Sequence, residues 1–215
     1  MFVGHFGIGL AAKALAPRVS LGSLFLAAQL IDLLWPTLLL LGIERVRIAP
    51  GITAVTPLDF EHYPITHSLL GAALWALALS VLYVLLTRYR RGALVVFFLV
   101  VSHWVLDLIV HRPDLPLYPG SAKFGLGLWN SVPWTLLVEF AILAMGAALY
   151  VRCTKAVDRT GVWGFWSLIV FLLVIQFGNI FGQPPPSVAA IAWVGQAQWL
   201  LVLWGYWIDR HREPS

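Results

Sequence analysis

Six apolar stretches, each about 20 residues long, constrain this chain more than any other feature of its sequence. A bilayer core about 30 Å thick is crossed by about 20 apolar residues in helical form. Residues 21–43, 66–87, 92–110, 132–151, 162–181 and 187–208 meet that length. Open sheet edges are not tolerated in lipid, so each should be a helix. The rest of the composition agrees. The 215 residues are 60% hydrophobic and 11% charged, where a soluble domain carries about 25% charged residues, and the mean hydropathy is +0.84. The expected fold class is all-α: a polytopic transmembrane helical bundle of about six spans plus a short N-terminal helix over residues 2–16, closed by Pro17. Pro36 is expected to kink or end its helix, because proline removes a backbone donor. Residues 1–215 should form a single integral membrane domain: a half rich in His and Asp (1–131), an apolar three-helix half (132–208) and a tail (209–215). The N-terminus has no basic leader, so the first residues are expected to stay in the mature protein. Cys153 is the only cysteine, which excludes an intrachain disulfide.

Basic residues orient the bundle. Arg88, Arg90 and Arg91 follow the second stretch, Arg152, Lys155 and Arg159 the fourth, and Arg210 and Arg212 the last. Short basic loops stay in the cytoplasm. The three connections agree if the C-terminus is cytoplasmic, and Lys13 and Arg18 fall on the same side. Residues 44–65 and 111–131 then lie outside, although Arg45 and Arg47 run against the rule. The net charge of +4 thus reports topology, and membrane lipid is the expected partner; no nucleic acid is expected. Trp35, Trp104, Trp129, Trp134, Trp199 and Trp207 fall near span ends and read as interfacial belts. Residues 124–128, rich in glycine, read as a flexible outer loop or lid.

A charge at mid-bilayer costs roughly 2.5–3.5 kcal/mol even on lenient scales, so each retained one needs a reason. Five of the six histidines precede residue 112. His103, Asp107 and His111 follow one another at intervals of four and share a helix face. His103 and Asp107 are about 6 Å apart along the axis and can reach one ion. The alternative is a hydrogen bond that pins two helices. In the segment from Asp59 to Gly71, Pro64 breaks the chain and Thr66 is a plausible N-cap, with His67 in the first helical turn and His62 in the loop. Asp32 and Glu139 are single carboxylates in apolar helices, and His5 is a lone imidazole among small residues. Glu139 could be a ligand, a proton carrier or a partner of Arg112. Mixed imidazole and carboxylate donors suit a divalent metal, zinc first, with manganese or iron as alternatives.

The order of these elements resembles the YdjM-like family of inner-membrane metal-dependent hydrolases. It runs His5, Asp32, then Glu61-His62-Tyr63-Pro64-Ile65-Thr66-His67-Ser68, then Ser102-His103 with Asp107. That family usually reads Gly-His-Arg-Gly-x-Thr-His-Ser. This chain keeps both histidines and Thr-His-Ser but not the Gly or the Arg-Gly, and of a Pro-Asp-x-Asp element only Asp32 remains. The resemblance spans about residues 1–120 and implies a bacterial-type inner (plasma) membrane location. It extends distantly to zinc-dependent phospholipase C and single-strand nucleases, which implies phosphoester hydrolysis by analogy. The expectation is a metal-dependent hydrolase of a phosphoester or lipid-type substrate at the outer face. Its metal ligands would be His5, Asp32, His67, His103 and Asp107. His62, Glu61 or His111 would be the catalytic acid or base, with Glu139 and Arg112 as possible additions. Arg112 and Lys123 could steady an anionic substrate, or simply meet headgroups. A proton or metal-ion transporter using Asp32, Glu139 and the histidines is the alternative. A non-catalytic scaffold is the third reading.

Overall fold

The computed structural model describes residues 1–215. Six helices are long and apolar enough to cross a membrane, and each overlaps an expected span: Leu21–Leu40 (α2), Leu69–Thr87 (α4), Arg90–Val110 (α5), Val132–Cys153 (α6), Arg159–Phe181 (α7) and the pair Val188–Gln196 (α8) and Gln198–Asp209 (α9). The short N-terminal helix is Val3–Leu15 (α1), and Pro64–His67 (α3) forms one further turn. The fold is a helical bundle. Its only sheets are small antiparallel pairs: Arg45–Ile48 (β1) with Leu58–His62 (β2), Leu115–Pro116 (β3) with Lys123–Phe124 (β4), and Thr154–Ala156 (β5) with Arg212–Pro214 (β6). Residues 212–214, expected in a tail, are thus paired with the segment that follows α6.

At 13 residues, α1 is about 20 Å long and too short to span comfortably. It needs no lipid contact, because it lies buried within the bundle, with Val3, Phe6 and Leu10 all fully covered. Its closest neighbour is α6, and glycine permits the approach: a Cβ on Gly146 would sit 2.0 Å from the Gly7 carbonyl oxygen. Small residues let membrane helices approach this closely and gain dispersion contacts. One apolar cluster joins α2, α4 and α5 to the β1–β2 hairpin. A second joins α1, α2, α6, α7 and α9. Both include α2, which places Asp32 between them.

Several local expectations are corrected. The α2 helix does not end at Pro36 but runs on to Leu40. The cost is one rung: Pro36 has no N–H for the Asp32 carbonyl. Thr66 is not the N-cap of α4. Ser68 is, with an extended backbone and an Oγ that accepts from Gly71 N, so His67 lies before that helix, in α3. Trp35 and Trp104 are buried rather than interfacial. The glycine-rich loop is tied down: Leu126 N donates to Leu108 O (2.8 Å) and Gly127 N to His111 O (2.7 Å). Gly125 must lack a Cβ, which would fall 2.1 Å from Arg112 O.

The bundle has a basic end. Lys13, Arg18, Arg210 and Arg212 meet in one cleft. Arg18 stacks on Tyr89, next to Arg88, Arg90 and Arg91, and the β5–β6 pair brings Arg152, Lys155 and Arg159 close to Arg212. The opposite end carries the hairpin, the β3–β4 pair and only Arg45, Arg47, Arg112 and Lys123.

Candidate metal centre

Four helical elements converge on one buried group of donors. His5 comes from α1, Asp32 from α2, His67 from α3, and His103 with Asp107 from α5. His103 Nε2 lies 3.2 Å from Asp107 Oδ2 and 3.6 Å from Asp32 Oδ1. His67 Nε2 lies 3.3 Å from Asp32 Oδ1 and 3.8 Å from Asp107 Oδ2. Imidazole nitrogens and carboxylate oxygens therefore alternate around a ring. At metal–ligand distances of about 2.0–2.1 Å, the donors of a tetrahedral ion stand roughly 3.3 Å apart. These four spacings fit that requirement. The remaining Asp107 oxygen faces His5 Nε2 at 3.1 Å and the Met1 amine. The His5 and His103 rings stack in parallel at 3.7 Å. Two overlapping triads result, His5–His103–Asp107 and Asp32–His67–His103, each with its ligand atoms within 4.8 Å of one another.

The surrounding bonds orient these donors. His103 Nδ1 faces the Ala28 carbonyl at 2.8 Å. A carbonyl only accepts, so Nδ1 carries the proton and the neutral ring presents its lone pair on Nε2. That Nε2 is buried with no hydrogen-bond partner. His67 Nδ1 lies 2.7 Å from Thr66 Oγ1, whose hydroxyl donates to Glu44 Oε2 at 2.6 Å. The Thr66 hydroxyl proton is therefore spent on Glu44, and its lone pair must accept from His67 Nδ1–H. Glu44 also accepts from Ile65 N (2.8 Å) and Thr66 N (2.9 Å), so one buried carboxylate fixes the whole α3 turn. Partners of this kind hold metal-binding imidazoles in place. Asp32 is the most open of the donors, with 22% of its side chain exposed.

A second network lies beside the first. Asp114 Oδ1 accepts from Tyr63 OH and pairs with His111 Nδ1, both at 2.8 Å, and its Oδ2 lies 3.3 Å from Arg112 Nε. Arg112 also pairs with Asp59. The His111 ring packs on Trp129 (4.3 Å) and Phe60 (4.9 Å), with its centroid 6.5 Å from that of His67. Burial pushes the His111 imidazole below its ordinary value and the Tyr63 phenol well above its own.

The structure thus brings His5, Asp32, His67, His103 and Asp107 together and sets His111 next to them. Glu61 and His62 stand apart, exposed on β2, where they line a shallow pocket with Lys123. Glu139 does not meet Arg112; its Oε2 accepts from Phe2 N (2.9 Å) and Gly4 N (3.3 Å) and so caps α1 from a neighbouring helix. Lys123 Nζ is turned to Glu61 O. Sequence reasoning missed Glu44 and Asp114. Glu44 follows directly on an apolar run, where a carboxylate ordinarily reads as solvated. Asp114 does carry a signal, three residues beyond His111.

Fold and site together define a multi-pass membrane protein with a buried imidazole–carboxylate centre near one end of the bundle. The chain belongs to the YdjM inner membrane protein family, whose model matches residues 1–182. No curated protein and no solved structure matches it.

Proposed function

We propose that this protein is a membrane-bound metal-dependent hydrolase acting on a phosphoester or lipid-type substrate at the outer face of the membrane. The observation that carries this reading is the ring of alternating His67, His103, Asp32 and Asp107 donors, with both imidazoles oriented from behind. His67, His103, Asp32 and Asp107 would hold a divalent ion, zinc first by donor chemistry, and His5 would complete the set or serve a second ion. When bound, such an ion supplies Lewis acidity to an ester oxygen and acidity to water. The chain's own residues do the rest. Asp114 holds His111 by Nδ1, which leaves Nε2 free to accept or return a proton. Phe60 and Trp129 shield that imidazole from bulk water. Asp32, the most exposed of the donors, would be the side from which water and substrate approach. Arg112 is committed to Asp59 and Asp114, so its charge stiffens the His111 support rather than gripping substrate.

Position supports a membrane substrate. His103 lies seven residues before the end of α5, about 10 Å below the helix terminus, at the end poor in basic residues. Transport is less well supported, because Glu139 is tied up as the cap of α1. The test is bound metal, measured by elemental mass spectrometry on protein purified in mild detergent without chelator, beside Asp107→Ala. The expected result is tightly held transition metal in the wild type and its loss in the variant, followed by metal-dependent turnover in a phosphoesterase and lipase screen. A wild type that stays empty after reloading with zinc, manganese or iron would overturn the reading.

A further inference from the structure

The basic end carries an open cleft of about 640 Å³, on the far side of the bundle from the metal centre. Four cations line it, Lys13, Arg18, Arg210 and Arg212, with Asp209 as the one carboxylate. Lys13 is buried, and its Nζ donates to Asp209 Oδ2 (2.9 Å) and Val19 O (2.8 Å). Asp209 also accepts from Leu21 N (2.6 Å) and Tyr150 OH (3.3 Å). Lys13 and Asp209 therefore cancel each other, and three guanidiniums remain without a carboxylate.

Two of these guanidiniums, those of Arg212 and Arg18, rest on neutral groups. Arg212 donates from Nε to Thr154 Oγ1, from Nη2 to Thr154 O and from Nη1 to Gly161 O, each at 3.1 Å, and its charge lies over the Tyr150 ring at 5.3 Å. Arg18 lies over Tyr89 at 4.8 Å. Arg210 is exposed at the end of α9. Arg212 spends one N–H of each nitrogen on Thr154 and Gly161 and so contributes mainly charge, whereas Arg18 and Arg210 donate no hydrogen bond within the protein and keep their planar forks free to meet phosphate oxygens bidentately. Basic pockets at this level of a bundle face lipid headgroups.

We propose that this cleft is a binding site for a phosphate group, carried in the membrane by an anionic phospholipid headgroup. The site is independent of the metal centre. It differs from the general positive field of this end, because Arg90 and Arg91 contribute to that field but do not line the cleft.

Native mass spectrometry of the purified full chain tests this, with phosphatidylglycerol or phosphatidylcholine of the same acyl chains added to the detergent. A thermal-shift titration with inorganic phosphate forms a parallel arm. Retention of phosphatidylglycerol over phosphatidylcholine is expected. Arg18→Gln/Arg210→Gln should weaken it roughly thirtyfold, and Arg90→Gln/Arg91→Gln should leave it nearly intact. Arg18 and Arg210 are exposed, so the double variant keeps its fold, which its unfolding temperature checks. Stabilisation by inorganic phosphate that needs Arg18 and Arg210, without preference for the anionic lipid, would support the site with a free phosphate as its ligand. Equal weakening in both double variants, or binding of neither probe, would overturn it.

Discussion

His67 shows how much of this donor ring depends on residues outside it. Its Nε2 points into the donor ring only because Thr66 holds Nδ1 and Glu44 holds Thr66. Thr66→Val keeps the shape and removes the link. It should lower metal affinity about 10- to 100-fold, read by competition with a chelator of known strength, and leave buried His67 Nδ1 and Glu44 Oε2 without this partner. Unchanged affinity would mean that His67 is oriented by packing alone. His111 gives a pH prediction. Burial lowers its pKa below the ordinary 6.5, so the folded protein takes up this proton less readily than the unfolded chain. The stability that follows is fully present above pH 6.5 and is lost as pH falls through the folded value. In His111→Asn, whose amide can still donate to Asp114, this contribution disappears. The wild type should lose more of its unfolding temperature than the variant between neutral pH and mild acid. All five residues that the structure brings together were named from the sequence: His5, Asp32, His103 and Asp107 because an ionisable group inside an apolar helix is conspicuous, and His67 through the Thr66-His67-Ser68 element at a span boundary. Glu44 and Asp114 were not, because a carboxylate beside a span end looks the same whether it is solvated or folded back into the protein.

Among the elements, the spans were legible for a simple reason: hydropathy reports the solvent, and lipid leaves long runs. The hairpin was not read, although Arg45-Val46-Arg47-Ile48 alternates with the period of a strand and Pro50-Gly51 marks a turn. The arginines were weighed as topological charges instead, and the structure pairs Arg47 with Asp59 and Glu61 across the ribbon. The role of α1 was also hidden, since a helix too short to span gives no sign of what it packs against. Its seat on α6 is a backbone contact, and Gly146→Ala tests it. The new Cβ would meet Gly7 O at 2.0 Å, so α1 must move. Overpacking of this kind costs roughly 1–3 kcal/mol, to be read as a lower unfolding temperature in detergent. Because α1 carries His5, bound metal should fall or loosen in the same variant. Loss of stability with metal binding unchanged would show that His5 is not needed at the centre.

For the whole molecule, the two ends differ in charge, and that difference predicts which side the donor ring faces. Ten of the 14 Lys and Arg residues lie at the end that holds the basic cleft, and the His–Asp donor ring lies nearer the other. Basic ends stay in the cytoplasm. The centre should therefore face outward, within reach of outer-leaflet headgroups or of substrates outside the membrane. Cys153 makes this testable, as the only cysteine, half-buried at the basic end of α6. A membrane-impermeant maleimide should not label it in intact cells and should label it after permeabilisation. Cys153→Ser combined with Ala122→Cys places a thiol on the exposed loop between β3 and β4, and this one should label without permeabilisation. The reverse pattern would put the donor ring on the cytoplasmic side. The hydrolase reading could survive that outcome, but its substrate would then have to come from the inner leaflet or the cytosol, and the cleft would face outer-leaflet headgroups instead.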